Sequence, residues 1–280
     1  EPFKYDILIC DASPDKRDVL PDGTGRNSKK ECILPDVMLS SLKRINPAIE
    51  EDKIKEIVKT LRKDYTGTDI VDTNYKLYRQ IRNNIKITVR RNGKEDFDFI
   101  KLIDFEHPEN NTFTAVSQMW IQGKVYYRRP DILIFVNGMP LVFIELKNSI
   151  VKVEEAYNKN LKDYMRDIPN LFAFNQICVL SNGLETKLGA FNATYDYFFE
   201  WLKIDSEKEK LDREAILAAD NVKDSSVRYF VDGLLNKDRL IDYIENFILF
   251  ENQRIKIIAK NHQYLGVNNL MESVENRKEL

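Results

Sequence analysis

Hydrophobic positions along the chain change period twice, from helical to strand-like and back. Over residues 31–63 apolar residues recur every three or four positions, which predicts two helices interrupted at Asn46-Pro47. A further short helix is predicted over residues 74–82. Before them, residues 5–10 form a short apolar run. Residues 11–30 are rich in Asp, Pro, Gly and Ser, which predicts a loop or flexible insertion.

From residue 85 onward the apolar residues alternate as they do in strands. IKITVRR predicts a half-exposed strand, and FDFIKLIDF predicts its hairpin partner across Asn92-Gly93. FTAVSQMWIQ is a further β-rich run. The stretch RRPDILIFVNGMPLVFIELKNS then contains two strongly apolar runs joined by Asn137-Gly138, a strong hairpin signal. Residues 151–168 have helical spacing, LFAFNQICVLSNG predicts a buried strand, and LGAFNA is one more candidate strand.

This order of strands, helix and strand predicts an α/β or α+β domain with a mixed sheet flanked by helices. We expect this domain to occupy residues 1–203. Residues 204–245 are charge-rich and predict a linker followed by a helical connector, and residues 238–250 predict a helix with one apolar face. No internal repeat is visible.

Composition narrows the class of protein only a little. The chain has 280 residues, 43% hydrophobic and 31% charged, with a net charge of -2, which is ordinary for a soluble globular protein. A neutral chain can still carry a local basic patch, so nucleic-acid binding stays open. Three cysteines without metal-ligand spacing favour a reducing compartment. Neither a signal peptide nor an apolar run of roughly 18 residues is present.

The opening of the first apolar run and the end of the second carry charged residues. Glu145 and Lys147 are two positions apart on one strand, so their side chains lie on the same face. An antiparallel hairpin also brings Asp131 beside Glu145. Two converging carboxylates suit a divalent cation, and Asp131, Glu145 and the backbone carbonyl near Leu146 suit Mg²⁺. Lys147 could then hold the attacking water. The alternative is a surface hairpin with solvated charges, since the pattern is short.

The same stretch resembles the nuclease core of the restriction (HsdR) subunit of type I restriction–modification enzymes, within the PD-(D/E)xK nuclease superfamily. The segments LKRINPAI, IDFEHPENNTFTAVSQ and IPNLFAFNQICVLSNG resemble family segments in matching order, so the resemblance covers nearly the whole chain. It implies a restriction-endonuclease-like mixed sheet and Mg²⁺-dependent cleavage of double-stranded DNA. It also implies that Asp131 and Glu145 hold the metal and that Lys147 is the catalytic lysine.

The sequence departs from the family pattern on the helix after this motif. The family places a Gln four residues before a Tyr, whereas this chain has Asn160 and Tyr164, which share one helix face. The resemblance implies a role for Tyr164 near DNA or the active site, and packing on the sheet is the alternative. Many members also use an acid from an early helix. Glu1, Glu31 and Asp36 are available, and none is assigned.

The C-terminal segment IKIIAKNHQYLGVNNLM resembles the start of the motor part of the same subunits, so residues 246–280 are expected to begin a truncated motor. Gln263 matches the position that contacts the adenine of ATP. No G-x-x-x-x-G-K-[ST] motif occurs in the chain, so ATP is expected to be a cofactor of the full-length protein alone. Candidate phosphate contacts are Arg90, Arg91, Lys124, Arg128, Arg129, Lys152 and Lys162.

The leading hypothesis is therefore a nuclease domain that cuts unmodified foreign DNA after ATP-driven translocation by the motor. Its implied partners are double-stranded DNA and the methyltransferase and specificity subunits, in the cytoplasm of a bacterium or archaeon. The isolated fragment need not be active. Two alternatives stay open: a stand-alone DNA-repair nuclease of the same superfamily, and a non-catalytic module that binds DNA or docks the methyltransferase core.

Overall fold

A seven-stranded mixed β-sheet forms the centre of the protein in this computed structural model, which describes residues 4–210, 212–218 and 225–278. The chain-order strands are β1 (Asp6–Ile9), β2 (Ile85–Arg91), β3 (Lys94–Ile100), β4 (Phe113–Ser117), β5 (Ile121–Gln122), β6 (Tyr127–Arg128), β7 (Ile132–Val136), β8 (Met139–Leu146), β9 (Ile177–Ser181), β10 (Thr186–Gly189), β11 (Phe199–Glu200), β12 (Ile248–Glu251) and β13 (Ile255–Ile258). The large sheet has the order β1-β4-β7-β8-β9-β10-β11. Within it β1/β4 and β8/β9 are parallel and the other pairs are antiparallel. The predicted mixed sheet is confirmed.

Helices cover the sheet and supply most of the remaining structure. They are α1 (Pro35–Ile45), α2 (Glu51–Leu61), α3 (Ile70–Asn83), α4 (Val153–Glu155), a π-helical turn (Ala156–Leu161), α5 (Lys162–Asp167), α6 (Arg213–Leu217), α7 (Val227–Leu234), α8 (Lys237–Asn246) and α9 (Asn261–Lys278). Among the described residues, no helix combines the length and the apolar character needed to cross a membrane.

The predicted helices and hairpins are confirmed, with some shifted limits. The helix predicted over residues 74–82 begins earlier because the Asp69 side chain accepts hydrogen bonds from the amides of Val71 and Asp72 and so caps it. The strand predicted in LFAFNQICVLSNG is shorter, since Pro169–Ala173 forms a 3₁₀ helix. The helix predicted over residues 238–250 ends at Asn246, and Ile248, Leu249 and Phe250 belong to β12, where pairing with β13 overrides the helical period.

Residues 11–30 form the predicted loop, and buried ion pairs give it a definite structure. Asp22 pairs with Arg26 at 2.6 Å and with Lys29 at 2.7 Å, and both cationic side chains are almost fully enclosed. Burial alone would raise the pKa of Asp22, but the two cations and Thr24 hold that pKa well below its usual range. The loop is therefore fixed by charge pairing, which a search for apolar periodicity does not detect.

The turn between β7 and β8 is buried and forms the centre of a hydrogen-bond network. Asn137 and Gly138 both have positive φ, at 48° and 78°. The Asn137 side chain donates to the carbonyl of Leu102 at 2.9 Å and accepts from the amide of Thr112 at 2.8 Å. The amide of Leu34, just before α1, donates to the Gly138 carbonyl at 2.9 Å. Hydrogen bonds at this turn therefore connect the β7–β8 hairpin to the start of α1 and to the segments that contain Leu102 and Thr112.

Side chains alternate across the central strands and fill two cores. On one face Val142 and Ile144 pack in a cluster that includes residues of α1, α2, α3, α7 and α8. On the other face Phe143 belongs to a cluster with residues of α4, the π-helical turn and α5. Glu145 follows Phe143 by two positions, so it continues this second face. The three cysteines are buried and form no disulfide with one another.

The C-terminal ribbon β12–β13 also joins the first core, through a buried lysine. The ammonium of Lys256 donates to the Asn175 carbonyl at 2.6 Å, to Gln176 Oε1 at 2.6 Å and to Asn74 Oδ1 at 3.2 Å. Three aromatic rings surround the same group. Burial lowers the pKa of Lys256 well below its usual value. The domain limits drawn at residues 203 and 245 stay predictions.

Gly138→Ala is expected to destabilise the protein more than Gly93→Ala, its matched control. Both glycines have positive φ, so alanine costs about 1–3 kcal/mol of strain at either site. At Gly138 a Cβ would also lie 2.5 Å from the Leu34 carbonyl oxygen, whereas at Gly93 it would meet nothing. Overpacking should add about 1–3 kcal/mol. Urea unfolding measures both values, and equal destabilisation of the two variants would contradict the buried docking of the turn.

Candidate active site

The register of the β7–β8 hairpin brings Asp131 and Glu145 together at one end of the sheet. Ile132 pairs with Ile144, so Asp131 lies across from Glu145. The amide of Leu146 donates to Asp131 Oδ2 at 2.8 Å, which ties the two strand ends directly. The predicted proximity of the two carboxylates is confirmed, and it follows from pairing alone.

Glu145 is buried beside its partner lysine. Its side chain is 3% exposed, and Oε1 accepts a hydrogen bond from Lys147 Nζ at 2.8 Å. Within the described residues, Oε2 is buried without a hydrogen-bond partner. Burial raises the pKa of Glu145, with a smaller contribution from the charge of Asp131, while Lys147 opposes the shift. An enclosed carboxylate oxygen with no protein donor is suited to a cation as its missing partner.

Lys147 remains in the register of the sheet although β8 ends one residue earlier. Its amide donates to the Ser181 carbonyl of β9 at 2.7 Å. The side chains of Glu145 and Lys147 therefore meet on one face, as the two-residue spacing predicted, and Leu146 is exposed on the other. Lys147 is partly exposed, so its ammonium group reaches both Glu145 and solvent.

Tyr164 closes the site from the helical layer. Its ring packs edge-on against Phe143 with centroids 5.5 Å apart, and its hydroxyl donates to the Arg129 carbonyl at 3.2 Å. Burial raises the pKa of Tyr164, and the charges of Glu145 and Asp131 raise it further, while a hydrogen bond with the Asn160 side chain lowers it. Tyr164 both packs on the sheet and lies next to the acids. Asn160 belongs to the π-helical turn and reaches Tyr164.

The two arginines before Asp131 make protein contacts. Arg128 Nε donates to Asp167 at 2.8 Å, and its Nη2 reaches Asp163 at 3.2 Å. Arg129 donates to the Ala12 carbonyl and lies 5.1 Å from the centre of the Trp120 ring. Arg128 therefore connects the segment before β7 to α5, and Arg129 connects it to the N-terminal loop. Their predicted contact with DNA stays a prediction.

One residue at the site was missed by the sequence analysis. Gln118 directly follows β4, has a positive φ of 58° and donates through Nε2 to Asp131 Oδ1 at 3.2 Å. The backbone amide of Gln118 also donates to the backbone carbonyl of Asp131 at 3.0 Å. Nothing in the pattern around Gln118 marks this role, because the contact depends on the pairing of β4 with β7.

The remaining candidates lie elsewhere. Gln263 lies in the first turn of α9, and its side chain accepts a hydrogen bond from the Lys260 amide at 2.8 Å, which helps to cap the helix; its adenine contact stays a prediction. Among the unassigned acids, Glu31 pairs with Arg62 at 3.0 Å, and Glu1 lies outside the described residues. Across the described ranges, no three His, Cys, Asp or Glu side chains form a metal-binding cluster. A cation here would therefore need the backbone carbonyl and water besides Asp131 and Glu145.

Comparisons with known proteins show which family the chain belongs to. Residues 4–197 match the family model described as the type I restriction enzyme R protein N terminus. The chain is 33% identical over 249 residues to the type I restriction enzyme HindI endonuclease subunit of Haemophilus influenzae, covering 86% of the chain and 23% of that protein. It is 32% identical over 270 residues to the putative type I restriction enzyme MjaIXP endonuclease subunit of Methanocaldococcus jannaschii, covering 89% and 25%. The chain thus spans about a quarter of these relatives.

Glu145→Gln is expected to flatten the pH dependence of stability. The pKa of Glu145 is raised in the folded state, so between the unfolded and folded values the folded protein binds more protons. Wild-type stability therefore falls as pH rises through that window, by up to about 1.4 kcal/mol per pH unit. The glutamine variant should lack this decrease. Urea unfolding in EDTA over acidic to neutral pH measures it.

The matched control for this experiment is Glu154→Gln, which alters an exposed acid on the following helix. That variant should keep the wild-type profile. Parallel stability curves for wild type and Glu145→Gln would show that the Glu145 carboxyl is not perturbed by burial.

Proposed function

We propose, from the premise that this chain belongs to the type I restriction enzyme R protein N-terminus family, that it is a Mg²⁺-dependent endonuclease domain that cuts double-stranded DNA. The observation that carries the proposal is that Asp131, Glu145 and Lys147 lie together where β7 begins and β8 ends. The relatives' names support a restriction nuclease domain, and the metal chemistry and the residue roles are our proposal.

The metal site that we propose consists of Asp131, Glu145 and the Leu146 carbonyl, with water completing the coordination. The residues fit such an ion because they supply hard oxygens and because Glu145 Oε2 lacks a partner among the described residues. When bound, the cation would lower the pKa of a coordinated water and stabilise charge on the phosphoryl oxygen. Gln118 and the Leu146 amide fix the orientation of Asp131 through hydrogen bonds to its two carboxyl oxygens.

Lys147 supplies a positive charge at the same edge. Its ammonium pairs with Glu145 at 2.8 Å. A cation bound to Glu145 would free Lys147 to hold the attacking water or to stabilise the pentacovalent phosphate through its three N–H donors. Tyr164, through its contact with the Arg129 carbonyl, positions the backbone leading to Asp131. Asn160 supports Tyr164 from the preceding helical turn.

The wider setting of the activity is part of the proposal. The matched relatives are endonuclease subunits about four times longer than the aligned chain. We infer that ATP-driven translocation, the methyltransferase and specificity subunits, and selection of unmodified foreign DNA belong to the assembled enzyme, in the cytoplasm of a bacterium or archaeon. Arg128 and Arg129 would contact DNA phosphates beside the carboxylates.

Asp131→Asn is expected to weaken binding of Mg²⁺ or Mn²⁺ by more than about tenfold, since losing even an indirect support of a metal site costs that much. Asparagine keeps an oxygen for the Leu146 amide, so the hairpin should stay folded. Isothermal calorimetry of the 280-residue chain measures the affinity. Asp18→Asn, at an exposed position of the N-terminal loop, is the control. Equal affinities for wild type and Asp131→Asn would remove Asp131 from the site.

Lys147→Ala is expected to reduce plasmid cutting by at least about 100-fold in the full-length subunit assembled with its partners, while ATP hydrolysis persists. The physical reason is that the variant lacks the one side-chain cation that we assign to the water and the transition state. Gel analysis of supercoiled plasmid and a phosphate-release assay measure the two activities. Lys159→Ala, which removes an exposed lysine paired with Glu155, should cut normally. Retained cutting by Lys147→Ala would reject its catalytic role.

A further inference from the structure

The ribbon β2–β3 presents one face that is entirely exposed in the described structure. Cross-strand pairing places Lys86 opposite Phe99, Thr88 opposite Phe97, and Arg90 opposite Glu95 on that face, and all six side chains are exposed. Phe97 and Phe99 keep 48% and 56% of their surface exposed. Two neighbouring exposed phenylalanines cost solvation free energy unless a ligand covers them. The nuclease chemistry described above does not use this surface.

The outer face separates cations from rings. Strand β2 carries Lys86 and Arg90, and strand β3 carries Phe97 and Phe99, so a row of positive charge runs parallel to a row of aromatic rings. On the opposite face Asp96 and Asp98 are paired with Arg91, each at 2.5 Å, which keeps their charge away from the outer face. Glu95 offsets one of the two cations, and the outer face keeps a net positive charge. A single nucleic-acid strand has a matching arrangement, because its phosphates lie along one side and its bases along the other.

From this arrangement we propose that the outer face of β2–β3 binds an unpaired DNA strand, with bases stacked on Phe97 and Phe99 and phosphates on Lys86 and Arg90. Side chains two residues apart on a strand are roughly 7 Å apart. This is about twice the 3.4 Å axial spacing of nucleotides in one strand of B-DNA. Two bases on these rings must therefore be unstacked from each other, which a duplex does not allow. Aromatic platforms next to cations bind single strands in this way.

Lys86 shows how the surface is protected without its ligand. Its ammonium lies 3.5 Å from the centre of the Phe97 ring, where a base would stack. A base that takes this place releases the lysine, whose flexible stem lets it reach the adjacent phosphate. Without DNA, a weak cation–π contact with Lys86 covers the Phe97 ring. When a strand binds, base stacking on the ring and a contact between Lys86 and a phosphate replace it. The proposal rests on the nuclease function only in that both have DNA as the ligand.

The test measures binding of a labelled oligo-dT strand, roughly 20 nucleotides long so that it exceeds typical site sizes, to the 280-residue chain. Fluorescence anisotropy is recorded in EDTA, which prevents metal-dependent cutting. The strand should bind more tightly than its duplex with oligo-dA. The double variant Phe97→Ala/Phe99→Ala should bind the strand about tenfold or more weakly, whereas Phe97→Tyr/Phe99→Tyr, which keeps both rings, should retain wild-type affinity.

The second ribbon offers a matched control. Leu249 and Ile257 are directly opposite each other on β12–β13 and are 63% and 46% exposed. The variant Leu249→Ala/Ile257→Ala removes two exposed aliphatic side chains from a similar ribbon and should bind the strand like wild type. Equally weakened binding in both alanine variants would mean general surface adhesion and would overturn the proposal.

Salt dependence separates the phosphate interactions from stacking. Lys86→Ala/Arg90→Ala should lower the slope of log affinity against log salt by about 1.4, roughly 0.7 for each phosphate that is no longer neutralised. The phenylalanine-to-alanine variant should keep the wild-type slope. The proposal fails if that variant binds the strand as tightly as wild type, or if the duplex competes equally with the strand. These outcomes do not depend on cutting, so they are distinguishable from a failure of the Lys147→Ala prediction.

Discussion

The buried Asn137-Gly138 turn is the constraint on which the rest of the structure depends. Because side chains alternate along a strand, a slip of one residue between β7 and β8 would turn Phe143 and Glu145 away from the helical layer that carries Tyr164. Positive φ at both positions fixes a two-residue turn, and the Asn137 side chain holds it in place by donating to the Leu102 carbonyl and accepting from the Thr112 amide. The pairing of β7 with β8 then shifts by one residue between Ile134 and Phe135, and this β-bulge is what places Asp131, beyond the fifth strand pair, beside Glu145. The buried polar turn and the bulge together therefore determine which charged side chains meet at the other end of the two strands.

The electrostatics of the site follow from where that register places two acids. A buried carboxylate next to a second one is unfavourable, and the protein offsets only part of the cost. Asp131 accepts from Gln118 and from the Leu146 amide, so its oxygens are satisfied. Glu145 receives one donor, Lys147, and its other oxygen has none in the described residues. The pKa of Glu145 is raised because its buried charge is only partly compensated. A divalent cation at this position would supply the missing positive charge.

The features that could be predicted from the sequence depend on residues close together in the chain, whereas the missed features depend on contacts that apolar periodicity does not reveal. Alternation, the Asn-Gly turn and two-residue spacing are local, and they predicted that Asp131, Glu145 and Lys147 lie close together. The pairing of Asp131 with Glu145 also depends on the one-residue register shift between Ile134 and Phe135, which the sequence analysis did not predict. Gln118 was missed because its contact with Asp131 crosses from β4 to β7. The order of residues 11–30 was missed because Asp22, Arg26 and Lys29 stabilise that loop through buried charge. Asn160 and Tyr164 were placed on one face by spacing, while the π-helical turn between α4 and α5 carries no comparable signal.

The anchored turn also relates the candidate active site to the β2–β3 ribbon. The chain leaves the ribbon at Ile100, and two residues later the Leu102 carbonyl accepts from Asn137. The base of the ribbon is therefore near the turn end of β7, whereas the carboxylates lie at its opposite end, roughly 17 Å away over the five residue steps from Asp131 to Val136. One DNA molecule that touched both would have to follow the strand direction across the sheet. Because the Asn137 side chain holds the Leu102 carbonyl, the chain segment just after the ribbon is tied to the turn that joins β7 and β8.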